Sequence, residues 1–162
     1  MPTITTSSPR FRILVIANET ASGDELHDAV VAAASRRYPV DVLVVAPALN
    51  SRLRHWLTDD DVARRAAQGR VDACVERLAE AGLTAEGAIG DPDPLQAIED
   101  ALRVFLADGI IVATHPEGRS NWLARNLVER AELRFDLPIA HVVVDGHARA
   151  DVREQARAPV AA

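Results

Sequence analysis

Five short apolar runs, separated by amphipathic stretches, follow one another from Phe11 to Val144. The runs are rich in Val, Ile and Leu, as expected for parallel strands that are buried on both faces. They cover residues 11–17, 40–46, 83–89, 109–113 and 139–144. The third run, LTAEGAI, contains more polar residues than the others, so we expect that strand at an edge of the sheet.

Apolar residues at helical spacing predict a helix after each of the first four strands. The stripes expected to face the core are Leu26, Ala29, Val30 and Ala33; Val62, Ala66, Val71, Cys74, Val75 and Leu78; Leu95, Ile98, Leu102 and Phe105; and Trp122, Leu123, Leu127 and Val128. Capping side chains precede or open these helices at Ser22 with Glu25, Thr58 with Asp61, Asp93 with Gln96, and Ser120. Gly82 is a fitting residue for the end of the second helix.

This order of elements predicts one α/β domain with a parallel sheet and helices on both faces. The 162 residues suit a single domain with a proper core. We expect a disordered tail at residues 1–10, the α/β domain at residues 11–145, and a flexible tail at residues 146–162. No internal repeat is present.

Composition narrows the classes of function. A net charge of −6 argues against a nucleic-acid binder, and no apolar run is long enough to span a membrane. The N-terminal residues lack the apolar core of a secretory signal. Cys74 is the single cysteine and has no partner for an internal disulfide, so we expect a cytoplasmic protein.

The candidate chemistry lies where the predicted strands end. The segment DGIIVATHPEGRSNWLARNLVE reads as strand, turn and helix start, where free N–H groups and the helix dipole favour an anion. Arg119 and Arg125 either neutralise a phosphate or carboxylate there or are solvated surface arginines. His115 either contacts a ligand or acts as a general base, or it is a loop histidine bonded to the backbone.

Two other strand exits carry polar residues. Asn18 and Glu19 follow the first strand at the expected switch point, although Glu19 would repel a phosphate. The helix cap accounts for Asp93, whereas Asp91 points to the same end of the sheet and is a candidate for binding Mg²⁺ together with a phosphate oxygen. The five histidines are scattered, so no protein metal site is predicted.

This layout resembles the universal stress protein family over roughly residues 11–145. The segments that carry the resemblance are RILVIAN, GDPDP, DGIIVATH, WLARNLVERAELRF and LPIAHVVV, in that order. The resemblance implies a single doubly wound five-stranded sheet in the order 3-2-1-4-5, of the adenine-nucleotide α-hydrolase-like class. It also implies a homodimer through the last strand, and a ligand, ATP or another adenine nucleotide, between the loops after strands one and four.

The nucleotide motif of that family is altered in this chain. Its form is Gly-x2-Gly-x9-Gly followed by Ser or Thr, and the first two glycine places hold Ala113 and Pro116. The last place falls at Asn126 or the residue before it, so Gly118 is the one glycine left in the loop. The family's aspartate after strand one corresponds to Asn18, and Thr20 stands in a common serine position. Proline has no N–H to offer a phosphate, which argues against ATP binding in the usual manner.

Three functions follow from these observations. The first is a non-catalytic stress-response or regulatory protein with a degenerate nucleotide site. The second is an adenine-nucleotide-binding module with altered contacts, for which the candidate ligand-binding residues are Asn18, Glu19, Thr20, Asp91, Thr114, His115, Gly118, Arg119, Ser120 and Asn126. The third is a nucleotide-processing enzyme of the same fold. It is disfavoured because the first loop, NETASGDEL, has neither a His-x-Gly-His nor a Ser-Gly-Gly run, and no catalytic residue is assigned.

The last strand predicts the oligomer. Its apolar edge, with Ile139 and Val144 at its ends, would template aggregation if left bare, and pairing about a two-fold axis would cover it. We therefore expect a homodimer through residues 139–144, with His141 either buried or at the dimer interface. The remaining expected partner is a small-molecule ligand.

Overall fold

The computed structural model describes residues 9–48, 60–116 and 122–145. Its elements, in chain order, are β1 (Phe11–Ile16), α1 (Asp24–Ser35), β2 (Val40–Pro47), α2 (Asp60–Glu80), β3 (Thr84–Gly90), α3 (Pro94–Val104), β4 (Gly109–Thr114), α4 (Trp122–Arg134) and β5 (Ile139–Val143). A short 3-10 helix, Glu19–Ser22, joins β1 to α1. Of the predicted tails at residues 1–10 and 146–162, residues 1–8 and 146–162 lie outside the described residues.

The five strands form one parallel sheet in the order β3-β2-β1-β4-β5, which confirms the predicted fold and the edge position of β3. At the end of β1, Ile16 pairs with Val45 of β2 on one side and with Val112 of β4 on the other. The winding of the chain reverses beside β1, between β1 and β4. In open α/β sheets such a reversal leaves a crevice at the carboxyl ends of the strands.

The core has two layers, one on each face of the sheet. α1 and α2 cover one face, where Val15 packs with Leu26 and Leu78. α3 and α4 cover the other face, where Leu14 packs with Ile98. Consecutive side chains of β1 enter opposite layers, and both layers are apolar. The sequence of this strand is therefore an unbroken apolar run.

The predicted cap of α3 is confirmed. The Asp93 side chain accepts a hydrogen bond from the Leu95 amide at 2.9 Å, and Pro94 occupies the first helical position. Asp91 Oδ1 accepts from the Asp93 amide at 2.8 Å, which fixes the turn that enters the helix. Gly82 follows α2 at a φ of +85°, the left-handed conformation expected at a helix end.

The predicted capping box of α1 is wrong. Ser22 ends the 3-10 helix, and Gly23 is the N-cap, without a side-chain hydrogen bond to the helix. A Cβ at Gly23 would lie 2.2 Å from Val144 Cγ1. The close approach of the chain after β5 therefore requires glycine at the cap. The predicted caps Thr58 and Ser120 lie outside the described residues.

The predicted inward face of α2 is wrong over its first two turns. Val62 is 60% exposed and Ala66 is also exposed, whereas Ala67, Val71 and Leu78 are buried. The helix packs on the sheet only from Ala67 onward. Its first turns flank a crevice instead of the apolar core, so their small and apolar residues stay accessible.

Among the described residues, β5 pairs only with β4, so its outer edge has no strand partner there. His141 is exposed, so the expectation that it is buried is wrong for one protomer, and its place in a dimer interface stays a prediction. Val143 is 47% exposed. Among the residues that the structure describes, no helix is both long and apolar enough to cross a membrane.

Candidate binding crevice at the carboxyl edge of the sheet

A crevice of about 610 Å³ lies at the carboxyl ends of β1, β2 and β3, with the first turns of α2 as one wall. Its volume falls in the range of small-molecule sites. The residues that line it are Asn18, Glu19, Ala48, Asp61, Ala63, Arg64, Ala66, Ala67, Arg70, Ile89, Gly90, Asp91, Pro92 and Asp100. The lining contains no residue of β4, so the crevice lies on the β2 side of the switch point.

Asn18 and Arg70 form a hydrogen-bonded clasp inside the crevice. The Asn18 amide nitrogen donates to the Pro47 carbonyl at 3.0 Å, and its amide oxygen accepts from Arg70 Nη2 at 2.7 Å. Both side chains are partly buried. The end of β2 therefore fixes Asn18, and Asn18 holds the guanidinium of α2 at the end of β1.

Two buried side-chain nitrogens beside this loop have no hydrogen-bond partner among the described residues. They are Arg70 Nε and His115 Nδ1. Arg70 donates to Asn18 through Nη2, and His115 Nε2 lies 3.5 Å from Glu19 Oε2, so both side chains contact the Asn18–Glu19 segment. A buried polar atom left unpaired costs about 1–3 kcal/mol, which makes this segment a candidate place for a ligand or an ordered water.

The crevice is lined by more acid than base. Four carboxylates, those of Glu19, Asp61, Asp91 and Asp100, face two guanidinium groups, those of Arg64 and Arg70. Asp100 is partly engaged, since its Oδ1 accepts from Arg103 and Gln96. A polyanion would meet net repulsion in this lining.

Among the described residues, polar groups at the end of β4 are hydrogen-bonded within the protein. Thr114 Oγ1 lies 2.7 Å from His141 Nε2, and the Thr20 hydroxyl donates to the Ala113 carbonyl at 3.1 Å. The Val144 amide donates to the Thr114 carbonyl at 2.8 Å. Thr20 and Thr114 are both buried, and neither lines the crevice.

The structure brings some of the predicted site residues together and separates others. Asn18, Glu19 and Asp91 line the crevice, and His115 lies beside Glu19. Thr20 and Thr114 are turned into the protein, and Asn126 is exposed on α4 outside the crevice lining. Gly118, Arg119 and Ser120 lie outside the described residues. A binding role for each of these residues stays a prediction.

No metal site emerges from the described part of the chain. Within residues 9–48, 60–116 and 122–145, no group of three or more His, Cys, Asp or Glu side chains is arranged to hold an ion. The part of Asp91 in binding Mg²⁺ through a phosphate therefore stays a prediction without a supporting ligand set.

Sequence reasoning missed the α2 residues of the crevice. Ala63, Ala67 and Arg70 recur at the spacing of one helical face, and Arg70 directly precedes buried Val71. That spacing was a usable signal, because an arginine beside the buried stripe of a helix needs a partner. Most of the predicted contacts lie at strand exits, whereas α2 supplies its residues from the side.

The sequence matches no family model and no curated protein. Solved structures do match the fold. A universal stress protein from Archaeoglobus fulgidus aligns with a TM-score of 0.59 at 18% identity, covering 82% of this chain and 93% of its own. A structure described as the universal stress protein from Archaeoglobus fulgidus in complex with dAMP gives 0.55 at 16% identity, covering 83% and 98%.

A third match is a universal stress protein family protein from Arabidopsis thaliana with AMP bound. It gives a TM-score of 0.55 at 12% identity, covering 85% of this chain and 94% of its own. The chain therefore has the fold of the universal stress proteins, as the resemblance predicted. At these identities the likeness is one of fold.

Proposed function

We propose that this protein is a universal-stress-protein-like regulatory protein that acts by binding, with a nucleotide site that has degenerated. The observation that carries the proposal is the clasp between Asn18 and Arg70. Asn18 stands where the resemblance places a nucleotide-contacting aspartate, and both ends of its amide are bonded within the protein. A nucleotide would have to break that clasp to use the position.

Two further features support the loss of triphosphate binding. Ala113 and Pro116 occupy the first two glycine places after β4; Ala113 is buried, and Pro116 offers no amide donor. The crevice lining carries twice as many carboxylates as guanidinium groups. A triphosphate needs close backbone amides and a positive surrounding, and the described residues supply neither.

The described nucleophiles and bases support a binding role over a catalytic one. Cys74 is buried against the sheet, and desolvation raises the pKa of its thiol, so the thiol stays protonated at neutral pH. The Thr114 hydroxyl is bonded to His141 but is itself buried. Neither group presents an activated nucleophile to the crevice.

The proposal includes a cytoplasmic homodimer formed through β5. The edge is exposed at His141 and Val143, and pairing two copies would satisfy its free backbone groups. Light scattering at micromolar concentration should give twice the mass of the chain. A strictly monomeric mass would refute this part.

Calorimetric titration with ATP and Mg²⁺ tests the central part. We expect no saturable heat at millimolar nucleotide, because the clasp and the carboxylates oppose a triphosphate. The Archaeoglobus fulgidus protein solved with dAMP, titrated with dAMP, is the positive control for the assay. Saturable ATP binding to the present protein would overturn the degenerate-site proposal.

A second candidate is a nucleotide-binding module with altered contacts, favoured by two observations. Arg70 Nε and His115 Nδ1 lack partners beside the switch point, and related folds were solved with dAMP or AMP. In this case Asn18 contacts the adenosine, and Gly118, Arg119 and Ser120 receive the phosphate. Titration with AMP separates the candidates, and Arg119→Ala should weaken AMP binding severalfold. Unchanged affinity in that variant would rule out this placement.

A further inference from the structure

We propose that the crevice beside α2 binds a small zwitterion, whose carboxylate lies on Arg70 and whose ammonium faces the carboxylates at the rim. The inference rests on the proposed function, because it assigns a ligand to the same crevice. The inference adds the chemical class of the ligand and the residues that recognise each end of the ligand.

Arg70 is prepared to bind a carboxylate. Its Nη2 is held by Asn18 at 2.7 Å, and Asn18 is held in turn by the Pro47 carbonyl, so the guanidinium is positioned before any ligand arrives. Its Nε is buried and has no acceptor among the described residues. A carboxylate oxygen is the acceptor that an arginine N–H binds most strongly, through a charge-assisted hydrogen bond.

Arg64 adds positive charge on the same wall. It lies on α2, is exposed, and forms no hydrogen bond or ion pair within the described residues. These two guanidinium groups outnumber the one carboxylate, that of Asp61, which α2 contributes to the crevice lining. A ligand carboxylate is therefore drawn to α2 and not to the strand ends.

The carboxylates that line the crevice favour a cation. Glu19 is 74% exposed at its side chain and has only a 3.5 Å contact with His115. Asp91 uses Oδ1 to accept from the Asp93 amide, which leaves Oδ2 without a partner among the described residues. Asp61 is also exposed and lines the crevice from the first turn of α2, three positions before Arg64. A simple anion would be repelled by these groups, whereas an ammonium group on the ligand would be stabilised by them.

The middle of the crevice suits a short aliphatic chain. Its apolar lining is made of small or compact side chains, namely Ala48, Ala63, Ala66, Ala67, Ile89 and Pro92. The described lining contains no aromatic ring on which a base would stack. The expected ligand is therefore an amino acid or an ω-amino acid.

Four probes with the same five-carbon skeleton test the proposal: norvaline, 5-aminovalerate, valerate and pentylamine. Each is titrated against ¹⁵N-labelled protein while the Arg70 Nε–H resonance is followed by NMR. We expect at least one of the two zwitterions to move that resonance saturably and to bind at least tenfold more tightly than valerate or pentylamine. Equal affinity for valerate, or no shift with any probe at 50 mM (roughly the weakest affinity expected of so small a ligand), would overturn the proposal.

Matched variants identify the groups that bind. Arg70→Lys keeps the charge but removes Nε–H, so it should weaken zwitterion binding at least tenfold and assign the resonance by its loss. Arg130→Lys, on exposed α4, should leave binding unchanged. The double variant Glu19→Gln, Asp91→Asn should remove most of the preference for the zwitterion over valerate. If that preference persists, the carboxylates do not bind the ammonium group.

ATP separates failure of this inference from failure of the proposed function. If neither ATP nor any probe binds, the ligand class is wrong and the degenerate-site proposal stands. If ATP binds saturably, the degenerate-site proposal is wrong, whereas the four probes alone decide the ligand class.

Discussion

The ends of β1, β2 and β3 border an open crevice, whereas the described residues at the ends of β4 and β5 bond and pack against other parts of the protein. We call the first the open half and define it by Asn18, Arg70 and Asp91. The second, the closed half, is defined by Thr20, Thr114 and the chain at Val144. Both halves sit at the carboxyl edge of one parallel sheet, so strand direction alone does not explain the difference.

Packing around the strand ends explains it. In the closed half, Gly23 lets the start of α1 rest against Val144, and the buried Thr20 hydroxyl donates to the Ala113 carbonyl. In the open half, α2 meets the sheet only from Ala67 onward, and the preceding turns stand beside the crevice. The polar groups that remain available to a ligand therefore lie beside α2, whose first turns do not pack on the sheet.

The largest expected effect concerns the wall of the open half. Leu78 anchors α2 and is fully buried, so Leu78→Ala should lower the free energy of unfolding by about 2–5 kcal/mol. Leu133→Ala, at a position that is 83% exposed, is the matched control and should change stability by less than about 0.5 kcal/mol. Urea denaturation measures both. Equal losses of stability in the two variants would show that burial of Leu78 does not hold α2 on the sheet.

An intermediate effect is expected in the closed half. Gly23→Ala places a methyl group against Val144 and should destabilise the protein by about 1–3 kcal/mol. Gly69→Ala, in the solvent-exposed part of α2, meets no atom within 4 Å and should stabilise by about 0.5–1 kcal/mol. Thermal unfolding of the pair tests whether the two halves differ in packing. An unchanged stability of Gly23→Ala would indicate that the closed half has space for a methyl group beside Val144.

The smallest effect concerns Cys74 on the core side of α2. Burial raises the pKa of its thiol above the usual 9.0, an effect that Arg77 partly offsets. The folded protein thus holds the proton more tightly than the unfolded chain does. Stability is complete below pH 9 and falls as pH rises through the folded pKa, by at most about 1.4 kcal/mol per pH unit.

Comparison with Cys74→Ala isolates this contribution. The difference in free energy of unfolding between the two proteins should be constant from pH 7 to about 8.5 and should then shift against the native sequence. A difference that does not change up to pH 10.5 (roughly one and a half units above the usual thiol pKa) would show that the thiol is not desolvated.

Much of the fold was readable from the chain alone. Runs such as RILVI and GIIVA specify strands buried on both faces, and Asp93 with Pro94 specifies a helix start, because each depends only on neighbours in sequence. The failures occurred where distant segments meet. The glycine cap at Gly23 depends on Val144, and the exposure of Val62 depends on where α2 leaves the sheet.

The candidate site likewise has a part that the sequence predicts and a part that depends on distant segments. The sequence by itself determined that Asn18, Glu19 and Asp91 follow strands of one parallel sheet, because strand order and direction bring those exits to one edge. Only the tertiary structure decided that Arg70, fifty-two positions after Asn18, closes on its amide and faces the crevice. That contact depends on how α2 packs beside the sheet, and helix packing is decided by side chains from several elements at once.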